Sequence, residues 1–140
     1  MAMTLASRTL SVTINRAVDE VYGFVANPEN LPKWATGFCK SIKRSDGDWM
    51  IETPEGPMRV RFVERNALGV LDHYVTPAPG VEIYAPMRVL ANGSGSEVLF
   101  TVFRLPDMSD VRFAQDVAFV EHDLRTLKQS LERGEERATP

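Results

Sequence analysis

The sequence predicts an α+β fold in which a seven-stranded, curved antiparallel sheet wraps one long C-terminal helix. Three observations carry this reading: an alternating apolar segment near the start, five turn signals spaced through the middle, and a long helical stripe at the end. Together they give the order strand, two short helices, six strands, long helix, with the last helix over the concave face of the sheet.

The first strand is read from Leu10, Val12 and Ile14, which alternate with Thr9, Ser11 and Thr13. RAVDEVYGFVA, residues 16 to 26, then switches to helical spacing through Val18, Val21, Tyr22 and Val25. Asn15 is the expected N-cap, and Asn27 with Pro28 stops the helix. A second short helix begins after Asn30 as cap, tolerates Pro32 in its first turn, closes at Gly37 and carries Trp34. From residue 38 to 105 the turn signals SDGD, PEGP, NALG, TPAPG and NGSG separate six strands joined as hairpins. Residues 109 to about 133 form the long helix, capped by Ser109 or Asp110. Its stripe runs Phe113, Val117, Val120, Leu124, Leu127 and Leu131, and at 1.5 Å per residue it is about 37 Å long.

Length and composition narrow the function classes. A chain of 140 residues is one ordinary domain, here residues 1–140, with an ordered core over about 8–133 and a short tail at 134–140. The net charge of −3 and the lack of any Lys/Arg cluster argue against nucleic acid as a partner. No apolar run approaches the roughly 18 residues of a membrane span and MAMTLASRTLSV lacks a leader pattern, so a cytoplasmic location is expected. The single cysteine, Cys39, reads as a small buried residue. Two histidines far apart in register make a metal site improbable, and no cofactor motif is present.

Hairpin turns fix register, and the period of two then sorts side chains onto faces. The counting pairs Ile42 with Ile51, Arg44 with Trp49, Ile51 with Val60, Trp49 with Phe62, Phe62 with His73, His73 with Ile83, and Met87 with Phe100. One face is apolar; the other carries Arg59, Arg61, Asp72, Glu82 and Arg88. Extended across the last hairpin, the count sets Ile83 opposite Arg104, and so gives an inner row Arg44, Trp49, Phe62, His73, Ile83, Arg104. His73 and Arg104 would stand about 10 Å apart on an apolar wall. Asp116, on the flank of the helical stripe, would reach between them, with Phe113 and Val120 forming the roof and Trp34 with Phe38 an end wall. Pro86 sits within a strand, where a bulge would turn Arg104 outward, so the facing of Arg104 stays open. Asp72 and His73 are neighbours sent to opposite faces, and His122 lies on the solvated side of the long helix.

The stretches VYGFVANPENLPKWATGF, GVLDHYVTP, PMRVLANGSGSEVLFTVFRLPDMSD and VEHDLRTLKQSLE, within a layout spanning residues 8 to 133, resemble bacterial polyketide cyclase/dehydrase-like members of the SRPBCC superfamily. That superfamily also holds the START lipid-transfer domains. The resemblance implies a helix-grip fold with an internal cavity for an apolar molecule.

On this reading the protein binds a small hydrophobic, lipid-like or aromatic ligand with a polar head, in a chamber bounded by the residues of the inner row, roof and end wall. The alternative is a cyclase or dehydratase in which His73 acts as general acid or base and Arg104 polarises a carbonyl. A chaperone-associated protein-interaction module is a third class, and homodimerisation is compatible with the sequence. Trp34 either seals the chamber or gates it.

Overall fold

The computed structural model describes residues 3–138, with side chains described through residue 133. After the first strand, β1 (Ser7–Ile14), come helix α1 (Val18–Ala26), a 3-10 turn (Pro28–Asn30) and helix α2 (Leu31–Trp34). Seven further strands follow: β2 (Ser41–Ser45), β3 (Asp48–Thr53), β4 (Gly56–Phe62), β5 (His73–Ala78), β6 (Val81–Ala85), β7 (Met87–Asn92) and β8 (Gly95–Phe103). Helix α3 (Asp110–Ala138) ends the described chain.

The helix starts differ from the sequence reading in two places, at Asn15 and at Asn30. Helix α1 is preceded by Ala17 in extended conformation with no side-chain cap, while the Asn15 amide donates to Glu132 at 2.9 Å. Asn27 does the capping one element later, where its Oδ1 accepts from the Glu29 amide at 3.1 Å. Asn30 caps nothing; its Nδ2 donates instead to the Phe24 carbonyl. At α3 the Ser109 hydroxyl accepts from the Arg112 amide at 3.0 Å, as an N-cap does.

Eight strands in two antiparallel sheets replace the single seven-stranded sheet: β1-β8-β7 and β2-β3-β4-β5-β6. Pro86 is the cause. It has no N–H to offer a ladder and divides the expected strand over residues 81 to 92 into β6, which pairs with β5, and β7, which pairs with β8. The sheets are stitched by the segment before β5: the Leu71 amide donates to the Met87 carbonyl at 2.8 Å and the Val89 amide to the Gly69 carbonyl at 2.9 Å. Gly69 has φ +74°, and a Cβ on it would stand 2.3 Å from the Val89 carbonyl oxygen, so only glycine lets the chain pass this close.

Two registers are corrected by two residues. Ile51 faces Met58 and Trp49 faces Val60, because the hairpin turns on Pro54 and Glu55 alone, with Thr53 paired to Gly56. His73 faces Ala85 and Val75 faces Ile83, with an irregularity between Val75 and Ala78. A slip of two preserves the face, so the apolar side remains inward. Ile42–Ile51, Arg44–Trp49, Phe62–His73 and Met87–Phe100 stand opposite each other as counted.

The core joins Ile14, Val21, Met87 and Val98, all without exposure, to Leu124, Leu127 and Leu131 of α3. Each fully buried aliphatic side chain contributes about 2 kcal/mol of transfer free energy. Helix α3 lies closest to β1, β8 and α2, so its grip is on the three-stranded sheet. Among the described residues no helix is long and apolar enough to cross a membrane.

Candidate functional site

The five-stranded sheet turns its apolar face towards α3 without being backed closely by it. Trp49 on β3, Phe62 on β4, Ile83 on β6 and Phe100 on β8 all face inward and yet are only half-buried, as are Phe113 and Val120 on the first part of α3. Ile51, Val60 and Met87 below them are buried. These inward side chains pack against the core and keep part of their surface in contact with solvent. Across its rim, Arg112 of α3 donates two hydrogen bonds of 2.9 Å to the Glu55 carboxylate at the β3–β4 turn.

His73 sits in this wall with 6% exposure. Its ring stacks on Phe62 with centroids 4.7 Å apart and meets Phe100 edge-on at 5.6 Å. Nδ1 lies 3.1 Å from the Leu71 carbonyl oxygen. A carbonyl only accepts, so Nδ1 carries the proton and Nε2 of the neutral ring is left with a lone pair. Burial pushes the imidazole below its ordinary value, against a smaller upward pull from the Leu71 carbonyl and Asp72. Among the described residues Nε2 has no hydrogen-bond partner, and it is not one of the fully enclosed orphan atoms, of which there is a single example, Trp34 Nε1.

Asp72 points the other way. Its Oδ1 accepts from the Met87 amide at 2.9 Å and Arg88 Nε at 3.0 Å, and its Oδ2 from Tyr84 Oη and an Arg88 terminal nitrogen, both at 2.9 Å. Burial raises the carboxyl, but the Arg88 guanidinium, the Met87 amide and the Tyr84 hydroxyl outweigh it and hold the group below its ordinary value. This network was hidden from sequence reasoning beyond the shared outward face of Asp72 and Arg88. The available signal was Pro86: the amide after a strand-breaking proline needs an acceptor, and an aspartate on the neighbouring segment supplies one.

The expected trio of His73, Arg104 and Asp116 is not assembled. Strand β8 ends at Phe103; Arg104 Nε donates to the Met108 carbonyl at 2.9 Å, and its guanidinium pairs with Asp110. Asp116 accepts from Arg112 Nε at 3.1 Å, one turn away on the same helix. Arg104 and Asp116 are each held by partners close in the chain rather than by each other or by His73.

Trp34 is 2% exposed in the core between α2 and α3, with Phe38 half-buried against the same cluster. Nearby, the Asp123 carboxylate accepts from the Gly37 amide at 3.1 Å and lies 3.4 Å from His122 Nδ1. Desolvation raises Asp123, the Gly37 amide and His122 offsetting only part of it. Cys39 is buried, donates to the Ser41 carbonyl, and is pushed up to about 11, chiefly by desolvation, which makes it unreactive. Among the described residues no group of three or more His, Cys, Asp or Glu is placed to hold a metal ion. A separate polar cleft of about 330 Å³ lies at the β1–α1 junction, lined by Asn15, Arg16, Glu20, Ser94 and neighbours. Gly95 on its edge is five residues along the chain from Phe100, well away from His73.

No protein-family model and no curated protein matches the sequence. Solved structures do. The protein XoxI from Bacillus cereus superposes with a TM-score of 0.73 at 20% identity, over 90% of this chain and 95% of that one. A START superfamily protein from Mycobacterium smegmatis gives 0.64 at 11% identity, over 91% and 97%. The chain has the START and polyketide-cyclase-like SRPBCC fold. A further match is the di-domain ARO/CYC BexL from the BE-7585A biosynthetic pathway, with a TM-score of 0.68 at 15% identity, where 91% of this chain covers 47% of the larger one. At these identities the likeness is one of fold, and the chemistry of this interior has to be argued from the side chains in it.

Proposed function

We propose that the protein binds a small, largely apolar, aromatic-sized molecule between the five-stranded sheet and the first half of α3, and that the ligand's polar head donates a hydrogen bond to His73 Nε2. The observation that carries this is the His73 environment: a neutral imidazole fixed by Leu71, framed by Phe62 and Phe100, with Nε2 unpartnered. Arg104 is engaged by Met108 and Asp110, so the acceptor at Nε2, and not a cation, sets the head group. An alcohol, phenol or enol satisfies it; a carboxylate meets a lone pair and loses its hydration for nothing.

The test uses 2-naphthol and 2-methoxynaphthalene, which differ in the donor alone. Binding measured by ligand-detected NMR or calorimetry should favour the naphthol about tenfold, the usual effect of leaving one buried polar group unpaired. His73→Phe, which keeps the stack, should abolish that preference. Equal binding of both probes by the wild type would remove Nε2 from the site.

The lone pair on Nε2 also favours a second reading, in which His73 takes a proton from a bound carbon acid in a cyclase or dehydratase step. A substrate turned over by the wild type and bound but not turned over by His73→Phe would support it.

A further inference from the structure

We infer that Asp72, on the outer face, is a positioning residue that fixes which nitrogen of His73 carries the proton, and thereby sets the preference for ligands that donate a hydrogen bond. The inference rests on the binding role proposed for His73 and adds the group that imposes it.

The coupling runs through one peptide unit. Leu71 donates its amide to the Met87 carbonyl at 2.8 Å, and Met87 donates its amide to Asp72 Oδ1 at 2.9 Å. The two residues that flank the Leu71–Asp72 peptide are thus both tied to Met87, Leu71 through its amide and Asp72 through its side chain, and the Leu71 carbonyl between them takes the His73 Nδ1 proton at 3.1 Å. Met87 has no exposure and Leu71 1%, so neither end of this tie is free to drift. The remaining lone pairs of Asp72 are filled by Tyr84 of β6 and Arg88 of β7, the strands on either side of Pro86. One carboxylate therefore closes the break in the sheet and orients the carbonyl that chooses the His73 tautomer. This is the second-layer arrangement by which proteins commonly set an imidazole, reached here through the backbone. With the tie cut, the Leu71–Asp72 peptide gains freedom to rotate, Nδ1 loses its acceptor, and the ring populates the form with the proton on Nε2, which offers a donor to the interior instead.

The chain has two histidines, and His73→Phe identifies which signals belong to His73. Long-range ¹H–¹⁵N spectra of histidine-labelled protein would report the tautomer directly, and the 2-naphthol to 2-methoxynaphthalene affinity ratio the preference. In the wild type the spectrum should show a single form protonated on Nδ1. In Asp72→Ala, which removes the acceptor of the Met87 amide, both forms should appear and the ratio should fall about tenfold, towards one. Arg88→Gln and Tyr84→Phe, on the accessible outer face, should move both readouts in the same direction by less, and they carry the test should Asp72→Ala not fold. Folded variants with a wild-type spectrum, or with an altered spectrum and an unchanged ratio, would overturn the inference while leaving the site intact. Wild-type protein that does not distinguish the probes, while its variants still change tautomer, would sink the binding reading and leave the hold of Asp72 on the ring standing.

Discussion

The Nδ1 of His73 and the carbonyl oxygen of Leu71, two residues apart in the chain, stand 3.1 Å from each other inside a wall of aromatic rings. The bond favours the protonated ring while burial opposes it, and burial is the larger influence on its proton affinity.

Stability should therefore depend on pH through this residue. The folded imidazole binds a proton less readily than the unfolded one, whose ordinary value is 6.5. Its contribution is full above that value and declines as the pH falls towards the lowered folded value. Urea unfolding at about pH 7.5 and pH 5.5 should show wild type losing more stability between them than His73→Phe. Equal losses would show that the ring is protonated in the folded protein too.

Gly69→Ala should be among the most damaging small substitutions in the chain. The added carbon would meet the Val89 carbonyl oxygen at 2.3 Å in a left-handed conformation, at the stitch between the two sheets. We expect a loss of about 3 kcal/mol or more. Gly80→Ala, also at positive φ but with no atom within 4 Å, should cost about 1 kcal/mol. Chemical denaturation of the pair separates steric overlap from backbone strain.

Trp34→Phe should cost less than the volume change alone implies. The indole leaves a cavity, a loss of about 1 to 3 kcal/mol, but Nε1 is enclosed without an acceptor and its removal returns part of that. Trp34→Leu, which also deletes the orphan donor but fills less space, should be the less stable of the two by thermal unfolding. The reverse order would mean that the donor has a partner in solution.

Asp123→Asn should stabilise the protein at neutral pH. Desolvation raises this carboxyl above 3.8 in the folded state, so folding is opposed as the pH rises through the raised value. Asparagine keeps the acceptor for the Gly37 amide without the charge. The melting temperature should rise by a few degrees at pH 7, with a smaller gain at about pH 3. Exchange of the charge also removes an upward influence on Cys39, so its reactivity with a thiol reagent should increase modestly.

Faces were legible in the sequence because they need only a period of two. Phe62 and His73, or Arg44 and Trp49, are placed by the nearest turn, and a slip of two at Pro54 and Glu55 moves partners without moving sides. The long helix was legible for the same reason, its stripe being local. The split of the sheet was not, because the partner of Met87 after Pro86 is chosen by Leu71 and Asp72, fifteen or so residues away, through hydrogen bonds that no periodicity records. The facing of Arg104 stayed open in the sequence because of Pro86; in the structure this long cation at the end of a strand finds its partners nearby in Met108 and Asp110.

The division at Pro86 also separates fast pairings from slow ones. Strands β2 to β6 form a meander in which each joins its neighbour in sequence, whereas β1 must find β8 more than 80 residues away. Closing so long a loop is the costlier step, and rates fall as contacts become less local. The meander that carries His73 should thus gain amide protection during refolding before the sheet that holds the helix does. An apolar molecule present at that stage would meet its wall before its roof.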